Sequence, residues 1–250
     1  MSYPSAPPRL HQIDVVNQVS RAYRIVIDHA QLVGELALLP FLLVLATEVA
    51  ASLIVWSTGI AAVIIAALIR AFGFLIFGTV FIVRWHRFVL LGESVAGGLI
   101  PAGWREFVVT GIKLGALIFV GWIALFVIAV LPPHFLTVSL AMIGGIAIGL
   151  ISLRVSLIFP AAAIEHPVGL RTAWDWVAGN FWRLFACAFA CYLPFVMVQI
   201  VIGWIAAIFP SLTWVVFEAL RLAVSFVGAA VIAALLSHIY RDIGAGEAFA

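Results

Sequence analysis

The chain has 250 residues, of which 66% are apolar and 10% charged, with a formal net charge of +2; soluble domains run at roughly 45–50% apolar and 25% charged. That balance predicts an all-α integral membrane protein, leaves no room for a separate soluble domain, and is too weakly basic to suggest a nucleic-acid partner. A crossing helix needs about 20 predominantly apolar residues, so this length holds about six of them with short connections, as one domain.

Residues 1–11 (MSYPSAPPRLH) are Pro-rich and lack an apolar run, so they read as a disordered N-terminal tail and not as a signal peptide. Over 13–28, the apolar positions Ile13, Val16, Val19, Tyr23 and Val26 alternate with Asp14, Asn17, Arg21, Arg24 and Asp28 in steps of three and four. This is the pattern of an amphipathic helix, expected flat on the bilayer surface, with a packed, partly buried helix as the alternative. Six apolar runs follow, at 31–56, 60–83, 107–131, 136–159, 184–208 and 213–239.

The connections between runs alternate in kind. Those at 57–59, 132–135 and 210–212 are tight and lack Lys or Arg, whereas the intervening ones are long and basic. Arg9, Arg21, Arg24, Arg84, Arg87, Arg105, Arg171, Arg183 and Arg241 then share one side, which the positive-inside rule makes cytoplasmic. The expected protein is a multi-pass protein of the bacterial cytoplasmic (inner) membrane with both termini cytoplasmic. It has a single six-helix domain over 12–240 and a C-terminal tail over 241–250. A second surface helix is expected over 167–182, where Leu170, Trp174, Val177 and Phe181 share a face, and with 13–28 it would form a cytoplasmic collar of two or three amphipathic helices.

Internal similarity suggests three parallel helix-hairpin repeats. Trp104-Arg105-Glu106-Phe107 and Trp182-Arg183-Leu184-Phe185 each open an apolar run that stops at a proline 28 residues on, from 104 to 132 and from 182 to 210. Glu93 and Glu165 stand upstream of these openings, and Leu39-Pro40-Phe41 is echoed by Leu193-Pro194-Phe195. The units fall at about 12–90, 91–160 and 165–240, as parallel repeats about an axis along the membrane normal would; chance similarity between apolar segments is the alternative.

Arg154, the Phe159-Pro160 exit, Glu165, Leu170, the Ala173-Trp174 pair and the GNFWRLF opening at 179–185 resemble the R…P…E…AW…G…WRLF signature of bacterial YciC-like proteins and the membrane domains of glycerophosphodiester phosphodiesterases. The segment RWHRFVLLGE at 84–93 is similar to the one that follows their second helix. The resemblance implies a six-helix membrane fold of poorly defined role. Its motif residues, Arg154, Glu165, Trp182, Arg183, Glu93, Trp104 and Arg105, belong to the junctions between helices. They carry no active site over.

Chemical signatures are scarce. Gly92-Glu93-Ser94-Val95-Ala96 approaches a nucleophile elbow but follows a helix end, where that motif belongs on a strand-to-helix turn. Cys187 and Cys191, one turn apart in an apolar run, suit packing. The histidines show no metal-ligand spacing, so no metal or other cofactor is expected. The sharper feature is charge inside the apolar runs, which costs about 2.5–3.5 kcal/mol by insertion scales and is usually paired or functional. Glu48 and Arg70 each lie 11 residues from Gly59, and Arg221 lies 11 residues past Pro210, one turn beyond Glu218. These four are expected to face the bundle as one polar layer, Glu48 pairing with Arg70 and Glu218 with Arg221. Two readings follow: a non-enzymatic membrane module whose cytoplasmic face meets lipids or another membrane protein, or a small transporter or flippase-like protein using the charged layer. A polar cavity reaching a surface discriminates the second from the first; oligomeric state is left open.

Overall fold

The computed structural model describes residues 12–55, 59–93, 98–130, 135–208 and 214–248, and these are helical almost throughout. The N-terminal tail lies outside the described residues. Helix α1 (Val15–Asp28) starts where the Asp14 carboxylate accepts the Asn17 N–H at 3.1 Å, a side-chain N-cap. It buries Gln18, Ala22 and Val26 and leaves Val16 and Ile27 exposed on its other side. After a single turn residue, His29, the chain enters α2 (Ala30–Val55).

Helix α3 (Ile60–Gly73) does not end at 83 as the apolar run suggested. It passes through one π turn (Phe74–Gly78) into α4 (Thr79–Leu91), because the face carrying Phe81, Trp85 and His86 is buried. Gly92, at φ 69°, closes α4 by returning its N–H to the Phe88 carbonyl. Helices α5 (Trp104–Val130) and α6 (Phe135–Arg154) form the next pair. A turn and the short α7 (Ile158–Ala163) follow, with Pro160 in its first turn, where its missing N–H costs nothing.

The expected surface helix over 167–182 is corrected to the seven-residue α8 (Leu170–Trp176). A turn over 177–180 ends it, with Gly179 at φ 81°, and α9 (Phe181–Ile208) then begins. Val177 is fully buried there instead of lying at an interface. The last helix, α10 (Trp214–Ala248), runs past the expected boundary at 240, since Arg241 and Asp242 are both engaged by neighbouring helices.

Among the described residues, five helical segments are long and apolar enough to cross a membrane: Ala30–Val55, Ile60–Leu91, Trp104–Ile123, Phe181–Ile208 and Trp214–Ile243. Met142–Arg154 is a shorter apolar helix. This is the make-up of a multi-pass membrane protein. α2 pairs with α3, α5 with α6 and α9 with α10, while α10 also packs on α1, α2, α4 and α7. The packed core is lopsided: Phe81, Trp85, Leu157, Leu184, Leu235, Ile239 and Tyr240 are all buried, and all lie toward the end of the bundle where the long connections run. We call this the junction end, and the opposite one the hairpin end.

α1 takes the packed alternative. Gln18 Nε2 and Arg21 Nη1 donate to Asp242 Oδ2 at 2.5 and 3.0 Å, and the Tyr23 hydroxyl donates to the Cys191 carbonyl at 2.9 Å. Burial beside Cys191 raises the Tyr23 pKa above its ordinary value, which keeps the donor proton in place. Cys187 and Cys191 themselves are fully buried.

Candidate functional site

Toward the hairpin end, a cleft of about 630 Å³ lies between the α2–α3 pair and the α9–α10 pair. Its walls carry Glu48 and Arg70 on one side and Gln199, Glu218, Arg221 and Ser225 on the other, with Val44, Phe74 and Leu222 as apolar lining. Arg70 Nε donates to Glu48 Oε2 at 2.9 Å, and its Nη2 donates to the Ser52 hydroxyl at 3.0 Å. Arg221 Nη1 lies 3.5 Å from Glu218 Oε1. The four charged residues singled out from the sequence therefore line one cavity. They do so because α2 and α3 share a turn, which puts residues equally far from Gly59 at equal depth, and because Glu218 and Arg221 are one helical turn apart.

Gln199 was not anticipated. Its amide Nε2 donates to the Arg221 carbonyl at 2.8 Å and to the Ser225 hydroxyl at 3.0 Å, while Ser225 donates to the Arg221 carbonyl at 2.9 Å. The amide orientation follows from the carbonyl, which only accepts. For Ser225 and Ser52 the signal was present in the spacing: Glu218, Arg221 and Ser225 stand at i, i+3 and i+7, and Ser52 stands one turn beyond Glu48.

The junction residues converge elsewhere. Arg87, with a side chain only 11% exposed, is the hub. Its Nε and Nη2 donate to the two Glu93 oxygens at 2.7 and 2.6 Å, its Nη1 donates to the Ala163 carbonyl at 3.1 Å, and Glu165 Oε2 lies 3.6 Å away. Hydrogen bonding to Arg87 holds the Glu93 carboxyl below its usual range. Glu165 reaches the hub from the left-handed region, at φ 63°. It closes α7 as a Schellman turn, with the His166 N–H on the Ala161 carbonyl and its own N–H on Ala162.

Arg154 stacks its guanidinium 3.8 Å over the Trp174 ring and 5.9 Å from Phe181, tying the end of α6 to α8 and α9. Arg183 Nη1 donates to the Ile13 carbonyl at 2.9 Å and the Ile13 N–H donates to Asn180 Oδ1 at 3.2 Å, so the α9 opening holds the entry to α1. Trp104 Nε1 donates to the Thr79 hydroxyl at 2.9 Å, while Trp182 is 68% exposed beside Phe181 and Phe185. Arg105 is exposed on the first turn of α5. Ser94, the weak nucleophile match, lies outside the described residues. Among the described residues no group of three or more His, Cys, Asp or Glu is placed to hold a metal ion.

Comparison with protein-family models, with curated proteins and with solved structures finds no match to this chain.

Proposed function

We propose that this is a non-enzymatic, six-span protein of the bacterial inner membrane that takes a polar ligand into the cleft at its hairpin end, in the manner of a small transporter or flippase. The observation that carries the reading is that Glu48, Arg70, Glu218 and Arg221 line a single polar cleft of about 630 Å³. A bundle needing charge only to fix helix register has no use for an open space among the charges. Volumes of about 300–1,000 Å³ suit small ligands.

The sixth span of this reading is α6, whose 20 residues measure about 30 Å, the thickness of a bilayer core. The basic junction end faces the cytoplasm with both termini, and the cleft opens toward the opposite side. The junction helices α1 and α8 then form the cytoplasmic collar. The resemblance to the membrane domains of glycerophosphodiester phosphodiesterases suits a role at the lipid surface.

Thiol accessibility tests this directly. In full-length protein carrying Cys187→Ala and Cys191→Ala, a Ser225→Cys thiol in the cleft is expected to react with a membrane-impermeant maleimide in intact cells. An Arg171→Cys thiol on α8 is expected to react only after lysis. Protection of Ser225→Cys from the outside, or labelling of Arg171→Cys in intact cells, would refute the reading.

A further inference from the structure

We propose that the ligand of this cleft is a zwitterion, with a phosphate or carboxylate group held by Arg221 and an ammonium group held by Glu218. The inference rests on the ligand-binding reading above and narrows it to a chemical class. Its starting point is that the two ion pairs in the cleft are unequally engaged. Arg70 is held by both Glu48 and Ser52, at 2.9 and 3.0 Å. Arg221 meets Glu218 at 3.5 Å through one nitrogen, with side-chain exposures of 52% and 36%.

A contact of 3.5 Å is at the limit of a hydrogen bond, and a guanidinium offers five donors in a planar fork suited to phosphate or carboxylate. The Glu218–Arg221 pair is therefore the exchangeable one, and Glu48–Arg70 is the fixed wall opposite.

Arg221 and Glu218 stand side by side with opposite charges, so the ligand that complements both at once is one carrying both signs. An anion alone would take Arg221 and strand Glu218; a cation alone would strand Arg221. A zwitterion replaces each partner with one of like sign, so both charges remain compensated throughout. The charges lining the cleft, two arginines and two glutamates, cancel and give no preference for an ion of one sign. Gln199 braces the wall that carries Arg221. Its Nε2 is fixed by Arg221 and Ser225, and its Oε1 is buried without a hydrogen-bond partner among the described residues.

Both a phospholipid headgroup of the phosphoethanolamine type and a free zwitterion carry this chemistry. The test uses purified full-length protein with Cys187→Ala, Cys191→Ala and Ser225→Cys, and follows the rate of maleimide modification. The probes are dihexanoyl phosphatidylethanolamine, phosphoethanolamine, dihexanoyl phosphatidylglycerol and inorganic phosphate. The zwitterions are expected to slow modification by about tenfold or more at saturation, and the two anions to have little effect at the same concentration. Glu218→Gln and Arg221→Gln should each abolish protection, Arg221→Lys should keep the preference for zwitterions, and Arg105→Gln should change nothing.

Protection by the short-chain lipid alone assigns a lipid ligand, and protection by phosphoethanolamine as well assigns the headgroup itself. Equal protection by phosphatidylglycerol or phosphate overturns the zwitterion. So does absence of protection by every probe while Ser225→Cys still reacts from outside intact cells, an outcome that leaves the hydrated cleft standing. Loss of that outside reactivity would instead count against the earlier reading.

Discussion

Glu48 and Arg70 face each other at 2.9 Å with side-chain exposures of 24% and 39%, so each charge is partly desolvated and depends on the other. Glu48→Gln is expected to lower stability by about 1–2 kcal/mol, less than the 3–5 seen for fully buried pairs. Combining it with Arg70→Gln should recover part of that loss, because the second change removes the orphaned charge. Melting of the three variants in detergent checks it; additive losses would mean that the two residues do not interact. This pair was legible in the sequence, since two helices sharing a tight turn place residues equally distant from it at one level. The Arg87 hub was not. Arg87 gathers Glu93, six residues on, and Glu165, from beyond α5, α6 and α7, and which carboxylates return to one guanidinium depends on the path of the connections.

Among the elements, the connection before α5 shows how closely the junction is built. Gly103 sits at φ 74°, and a Cβ there would run into the Ala163 carbonyl at the end of α7. Gly103→Ala is therefore expected to cost on the order of 3 kcal/mol, combining left-handed strain with overpacking. A melting curve within about 0.5 kcal/mol of the parent would show that the contact yields without cost. The long apolar helices were legible from composition and run length. Their ends were not, for a physical reason: α4 and α10 continue past the apolar runs because Trp85, His86, Ser237 and Tyr240 are buried against other helices at the junction end. The segment over 167–182 failed as a helix because Gly179 turns the chain and Asn180 is drawn to Ile13. Both are tertiary demands that an amphipathic pattern cannot register.

At the scale of the molecule, the bundle is fastened at the junction end and open at the hairpin end, and the fastening is in part ionic. With its folded pKa held below the ordinary 4.5, Glu93 contributes stability that is fully present above that value and is lost as pH falls through the lower folded one. Glu93→Gln is expected to melt below the parent at pH 7, with the gap closing as pH falls below 4.5 and the parent's carboxylate is neutralised. A gap that stayed constant across that range would mean that Arg87 draws its support elsewhere. Such loosening acts on the junction end, so the probe-protection pattern at Ser225→Cys should survive Glu93→Gln at neutral pH.

The π turn at Phe74–Gly78 sets the phase between those two ends. One residue advances an α-helix by about 100°, so the extra residue of a π turn decouples the bearing of everything after it from everything before. Arg70 can then point into the cleft while Trp85, His86 and Arg87, on the same continuous rod, point at α10 and α7. The Thr79 hydroxyl bonds the Leu75 and Ile76 carbonyls at this turn and receives Trp104 Nε1, so the first residue of α5 acts as a key in the turn's slot. Relaxing the turn into ordinary α-helix would swing one end by roughly a quarter of a revolution against the other. The rod carries two addresses, and the keyed turn keeps both legible at once.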